Sequence, residues 1–151
     1  MPKLPIDKSR INKPRLQKAI AALRSEKYEQ CIEVLKDGCE FCVLGVLADV
    51  SDLGSWEMSR EMDENNGYLS EVYAIHPKNA TYSTECAETI LSRSLKKYYG
   101  FDRRCPVVEV EGETKSLVDL NDELYVTPEG HRESRYSFPE IADLLEQTYI
   151  N

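Results

Sequence analysis

The stretch "GCEFCVLGVLADV", Gly38 to Val50, decides how the rest of the chain is read. Two cysteines spaced C-x-x-C, Cys39 and Cys42, run straight into an apolar segment that stops before the polar "SDLGS". That segment is too apolar to expose any face, so it predicts a short buried helix over about 42–50. Gly45 inside it costs helix stability and implies close packing. Just upstream, "CIEVLKDGCEFC" carries Ile32, Val34 and Phe41, which favour extended structure, around the turn signal Lys36-Asp37-Gly38, and so predicts a hairpin.

Working outward, residues 1–13 hold prolines at 2 and 5 and basic residues at 3, 8, 10 and 13, the pattern of a flexible basic arm preceding one domain over 14–151. Leu16, Ile20 and Leu23, with Ala19 and Ala22 between them, repeat at helical spacing over 14–26, and Pro14 suits a first turn. Beyond Trp56, "EMDENNGY" reads as a turn and "YLSEVYAIHP" as a strand. Cys86, Ala87, Ile90, Leu91, Leu95 and Tyr98 recur every three or four residues before Gly100, which predicts a helix over 83–99 with a glycine cap.

A strand over Val107–Val110, an Glu111-Gly112-Glu113 turn and a short helix through "LVDLND" follow, the helix opened by Ser116-x-x-Asp119. "ELYVTPEGHRES" reads as a polar loop or ragged hairpin. Ser137-Phe138-Pro139-Glu140 matches a capping box, and Phe138, Ile141, Leu144, Leu145 and Tyr149 make one apolar stripe on a final helix. The fold class expected is α+β, a single domain of about four helices around a small, mostly antiparallel sheet.

At 151 residues, with 41% hydrophobic and 30% charged side chains, the chain has the composition of one globular domain, and no apolar run is long enough to cross a bilayer. The N-terminus lacks the apolar core of a secretory signal, so a cytoplasmic setting is expected, with the five cysteines reduced. Twenty-seven acidic against nineteen basic residues give a formal charge of −8, which repels a phosphate backbone and argues against direct nucleic-acid binding. It leaves open a basic protein partner or an acidic mimic of nucleic acid.

The blocks "ALRSEKYEQ", "FCVLGVLADV", "SLVDLND" and "YSFPEIADLLE" resemble a family of small, largely uncharacterised proteins of bacteriophages, prophages and bacterial genomes. The matching elements, in order, are Tyr28 and Gln30; Cys42, Leu44, Gly45, Leu47 and Asp49; Trp56; Leu120, Asn121 and Asp122; and Phe138, Ile141 and Ala142. Residues 57–81 and 125–135 look like insertions between these blocks. Members often carry a glycine after the Gln and cysteines at other places, where this chain has Cys31, Phe41 and Ala48; Cys42 alone keeps its slot. The resemblance implies a phage or mobile-element accessory protein acting in the host-cell cytoplasm, and no known reaction.

Four readings of Cys39 and Cys42 stand side by side. A redox pair needs a thioredoxin-like βαβ setting, which the hairpin does not provide. A structural zinc needs four ligands, and the pair supplies two, with Cys31, Cys86, Cys105, His76 or His131 left to complete the set. As a nucleophile, Cys42 opens a helix and would draw on Asn121 or Asp122 and a histidine. As packing, Cys42 is a small apolar core residue, and this reading takes precedence.

Asn121 and Asp122 divide in the same way between backbone capping and gripping a ribose or base edge. Tyr28, Trp56 and Tyr136 offer rings for stacking, so Tyr28, Gln30, Trp56, Asn121, Asp122 and Tyr136 form the candidate ligand-binding set. Nine tyrosines equally suit a protein-binding face. The expected function is non-enzymatic binding of a host protein or of a small nucleotide-like ligand, serving defence evasion. The alternatives are a hydrolase or transferase using Cys42 and an acidic nucleic-acid mimic. No motif here requires a cofactor, none addresses a membrane, and a homodimer is allowed.

Overall fold

The computed structural model describes residues 6–31, 34–62, 69–75, 85–87, 89–126, 128–130, 132–134 and 136–151. Helix α1 (Lys13–Arg24) starts where Asn12 accepts the N–H of Arg15 at 3.1 Å, and it buries Leu16, Ala19, Ile20 and Leu23. Three two-residue strands follow: β1 (Glu29–Gln30), β2 (Lys36–Asp37) and β3 (Glu40–Phe41), in the order β1-β3-β2. Strands β2 and β3 form the hairpin expected from the sequence, turning through Gly38 at φ +61°, and β1 runs parallel to β3.

Helix α2 (Val43–Ser51) follows directly, with Val43 through Ala48 all buried. A Cβ on Gly45 would overlap the backbone carbonyl oxygen of Leu35, so the glycine is what lets the hairpin strand cross over the helix. Helix α2 packs on α1 and is surrounded by the rest of the core. Its central leucines, Leu44 and Leu47, are each 0% exposed. Burial on that scale stabilises by about 2 kcal/mol per leucine.

Strands β4 (Ser55–Met62), β5 (Leu69–Ile75) and β6 (Glu85–Ala87) make an antiparallel sheet, with Trp56 opposite Tyr73 and Tyr73 opposite Ala87. Here the spacing-based expectation of a helix over 83–99 fails. Residues 85–87 pair as an edge strand, and helix α3 covers only Arg93–Tyr99. The side chain of Ser92 accepts the N–H of Leu95 and starts the helix there, offering the backbone a cap in place of an earlier turn. Leu91, Leu95 and Tyr99 all end at 0% exposed. Gly100 caps α3 at φ +84°, as expected.

Strands β7 (Val107–Val110) and β8 (Glu113–Ser116) form a hairpin whose two turn residues, Glu111 and Gly112, both have positive φ (51° and 80°), which suits the sheet's twist. Helix α4 (Leu117–Asp122) is capped by Ser116. Strands β9 (Leu124–Val126) and β10 (Arg132–Ser134) pair antiparallel. Helix α5 (Phe138–Leu145) opens with the complete Ser137–Glu140 capping box and passes into one π-helical turn, Glu146–Ile150. The architecture is α+β, as expected: the described residues form five α-helices and four small sheets of two or three strands, mostly antiparallel.

Of the proline-rich N-terminal stretch, residues 6–12 pass the C-terminal end of α3 and the loop after it. Ile6 and Ile11 pack on the core, and the N–H of Asn12 donates to the carbonyl of Tyr99 at 2.9 Å. The expected turn over "EMDENNGY" falls mostly on residues outside those described.

Candidate functional site

Asn121, in the last turn of α4, is 0% exposed and spends its whole amide on the protein. Its Oδ1 accepts from Gln30 Nε2 at 3.0 Å and from the N–H of Val43 at 3.0 Å. Its Nδ2 donates to the carbonyl of Cys31 at 2.7 Å and to Asp122 Oδ1 at 2.9 Å. Two acceptor positions and two donor hydrogens are all an Asn side chain offers, so nothing is left for a ligand. Gln30 Nε2 also donates to the carbonyl of Tyr136 at 3.1 Å. The structure thus gathers Gln30, Asn121, Asp122 and Tyr136, but the group is a clasp joining β1, α2, α4 and the start of α5.

Tyr28 and Trp56 meet at a second point. Tyr28 Oη donates to one oxygen of Asp49 at 2.5 Å, and Trp56 Nε1 donates to the other at 3.0 Å. Burial, followed by the bond to Asp49 and its charge, holds the Tyr28 phenol well above its ordinary range. The rings run edge to face from Tyr28 to Phe41 (5.0 Å), Trp56 (5.7 Å) and Tyr73 (5.1 Å), so they stack on each other. Lys36 Nζ lies 5.7 Å from Phe41 and 5.8 Å from Trp56, and pairs with Glu71 at 2.7 Å. The roles of Asp49, Phe41, Tyr73 and the Lys36–Glu71 pair were not read from the sequence. One signal was available for Asp49: a single acid inside an apolar helix must find donors or stay unsatisfied.

Cys42 is the N-cap of α2. Its Sγ accepts the N–H of Gly45 at 3.4 Å, and burial pushes its thiol up to about 11 despite the bonds from the helix backbone. Cys31 is pushed up to about 12, again chiefly by burial. Activation of a nucleophile requires a shift the other way. Cys39 sits exposed in the β2–β3 turn while Cys42 is buried below it, so the two thiols occupy unlike environments. Among the described residues no three His, Cys, Asp or Glu side chains gather as metal ligands. His76, His131 and the Cys86 side chain lie outside those described.

Beside the clasp, Thr114, Lys115, Asp119, Asp122 and Glu123 line an open recess of about 460 Å³. Lys115 Nζ stands 6.0 Å from the Tyr136 ring centre. Three carboxylates against one ammonium make this recess unfavourable to phosphate. Of the candidate set, only Asp122 lines it.

No curated protein and no solved structure matches the chain. A family model described as a domain of unknown function (DUF8296) matches residues 11–149, which take in every helix from α1 to α5 together with Asn121, Asp49 and Cys42. The chain belongs to the DUF8296 family.

Proposed function

We propose that the chain is a non-enzymatic binding protein, an accessory of a bacteriophage or other mobile element, which holds its partner in the host cytoplasm without transforming it. The partner is a host protein or a small nucleotide-like ligand. One observation carries this reading: the side chains best suited to chemistry are committed to the protein itself. Asn121 has no free donor or acceptor, Asp49 serves Tyr28 and Trp56, and the Cys42 thiol is shifted away from the thiolate. Asn121 and Cys42 therefore act as supports for α2.

The test is a native mass spectrum of protein purified without chelator, followed by denaturation and identification of anything released. A retained small molecule recovered unchanged, or a bare chain that gains mass with a host protein, is the expected result. Turnover of any substrate that disappears in Cys42→Ser, in a variant that still folds, would overturn the reading.

A further inference from the structure

Against the acidic character of the whole chain, one cleft has cations as its only charged lining. Arg10, Arg93, Lys96, Lys97 and Arg104 surround a cavity of about 540 Å³, with Gly100 and Phe101 completing its wall and no carboxylate among the lining residues. Three pieces of chain build it: the N-terminal segment, helix α3, and the loop that follows α3. A Cβ on Gly100 would overlap the carbonyl oxygen of Arg10, so the glycine allows the N-terminal segment to seat there and bring Arg10 to the cleft. Arg104 is held by its Nε, which donates to the carbonyl of Leu91 at 2.8 Å, and this orients the guanidinium while leaving its terminal nitrogens for another partner.

Three cations elsewhere are held by carboxylates. Arg24 pairs with Asp143 and Glu146, Lys36 with Glu71, and Arg103 with Asp102. Among the described residues, none of the five cleft cations is in a close ion pair, and the one carboxylate whose charge acts on them is Asp7, on Arg10. Five like charges around one cavity repel each other, at a cost that a multivalent anion would remove.

We propose that this cleft binds a small anion carrying several phosphates, either as a nucleotide or as an inorganic chain. The inference rests on the binding reading above and names its ligand class. The volume is that of a small-molecule site. Arginine forks and lysine ammonium groups together match phosphate oxygens. An extended nucleic acid would run out of the cleft onto a chain of formal charge −8 and lose there what it gained. The charge run that makes most of the cleft, Arg93, Lys96, Lys97 and Arg104, is visible in the sequence. Its meeting with Arg10 is not.

Calorimetric titration of the full chain at low salt with tripolyphosphate, ATP and orthophosphate tests the proposal. The variants are Arg93→Ala with Lys97→Ala, Arg10→Ala alone, and a charge-matched control, Lys18→Ala with Lys27→Ala, at exposed positions away from the cleft. Tripolyphosphate and ATP should bind and orthophosphate should bind far more weakly. The double cleft variant should lose about ten-fold or more in affinity, Arg10→Ala somewhat less, and the control almost nothing. Equal affinity for ATP and tripolyphosphate assigns the site to the phosphate chain, and tighter ATP adds a contact to the nucleoside. Absence of binding, equal loss in cleft and control variants, or an oligonucleotide outcompeting ATP would each overturn the proposal. Phosphorus resonance spectra of the same samples separate the two claims: intact probe supports both, while cleavage keeps the cleft and removes the non-enzymatic reading.

Discussion

Asn121 accepts the backbone N–H of Val43 at 3.0 Å across 78 positions of sequence, so the start of α2 is capped by a side chain from α4. The local cap, Cys42, contributes only a sulfur, which is a weak acceptor. The amide makes good that weakness, and in the same step ties down the carbonyl of Cys31.

Asn121→Ala would leave the Val43 N–H and the Cys31 carbonyl without this partner in a buried setting. A loss of about 3 kcal/mol or more is expected, read as a lower urea midpoint at unchanged slope. Asn121→Asp should be nearly as harmful, because its carboxylate faces the Cys31 carbonyl without a donor. A midpoint within error of the parent for either variant would show that the clasp is dispensable.

Gly45→Ala places a methyl group against the Leu35 backbone, an atom that cannot swing aside. Overpacking of this kind costs about 3 kcal/mol, although alanine is otherwise the better helix former. Thermal melts of the two proteins decide the sign: a stabilised variant would mean that the hairpin moves away from α2 at little cost.

Stability should fall on the alkaline side. Thiols Cys31 and Cys42 are held at about 12 and about 11 against an ordinary 9.0, and the phenols of Tyr28, Tyr99 and Tyr149 lie above their ordinary 10.0, all mainly through burial. A group whose folded value is raised keeps its proton longer in the folded state, so its contribution is complete below the unfolded value and drains away as pH climbs. The loss begins above pH 9 with the thiols and steepens above pH 10 with the phenols. Urea midpoints at about pH 8 and about pH 11 should therefore differ clearly, the second being lower. A flat profile would contradict the burial of these groups.

Thiol chemistry distinguishes packing from activation at Cys42. With a disulfide reagent at neutral pH, the exposed Cys39 should label first, while Cys31 and Cys42 react only when the protein unfolds. Peptide mapping by mass spectrometry identifies the site. Cys42 labelling ahead of Cys39 in the native protein would restore the nucleophile.

The final helix offers a small and local test. Ser137 accepts the N–H of Glu140, and the Glu140 carboxylate accepts from the Ser137 backbone at 3.1 Å, completing the capping box. Ser137→Ala should cost about 1 kcal/mol, with Ser137→Asp close to neutral, both measured by denaturant titration.

Local signals were legible wherever a helix or turn carries its own punctuation. Pro14 at α1, Gly38 in the hairpin, Ser116 before α4, the Ser137–Glu140 box and the Gly100 cap all act within a few residues, and each could be read in order along the chain. Apolar periodicity was less reliable. It located α1 and α5, but over 83–99 it merged an edge strand, a bend and a helix, because apolar residues three or four apart do not by themselves say which backbone carries them. Sequence alone determined the α+β class, the buried α2 and most helix starts, since these depend on short-range hydrogen bonds and on how apolar a segment is. Only the tertiary structure decided what the polar residues do. Whether Asn121, Asp49 or Cys42 faces a ligand or the protein depends on partners such as Gln30, Trp56 and Val43. Whether Arg10 joins the cations of α3 depends on Gly100 having no side chain. Both are long-range meetings, set by the packing of the whole core.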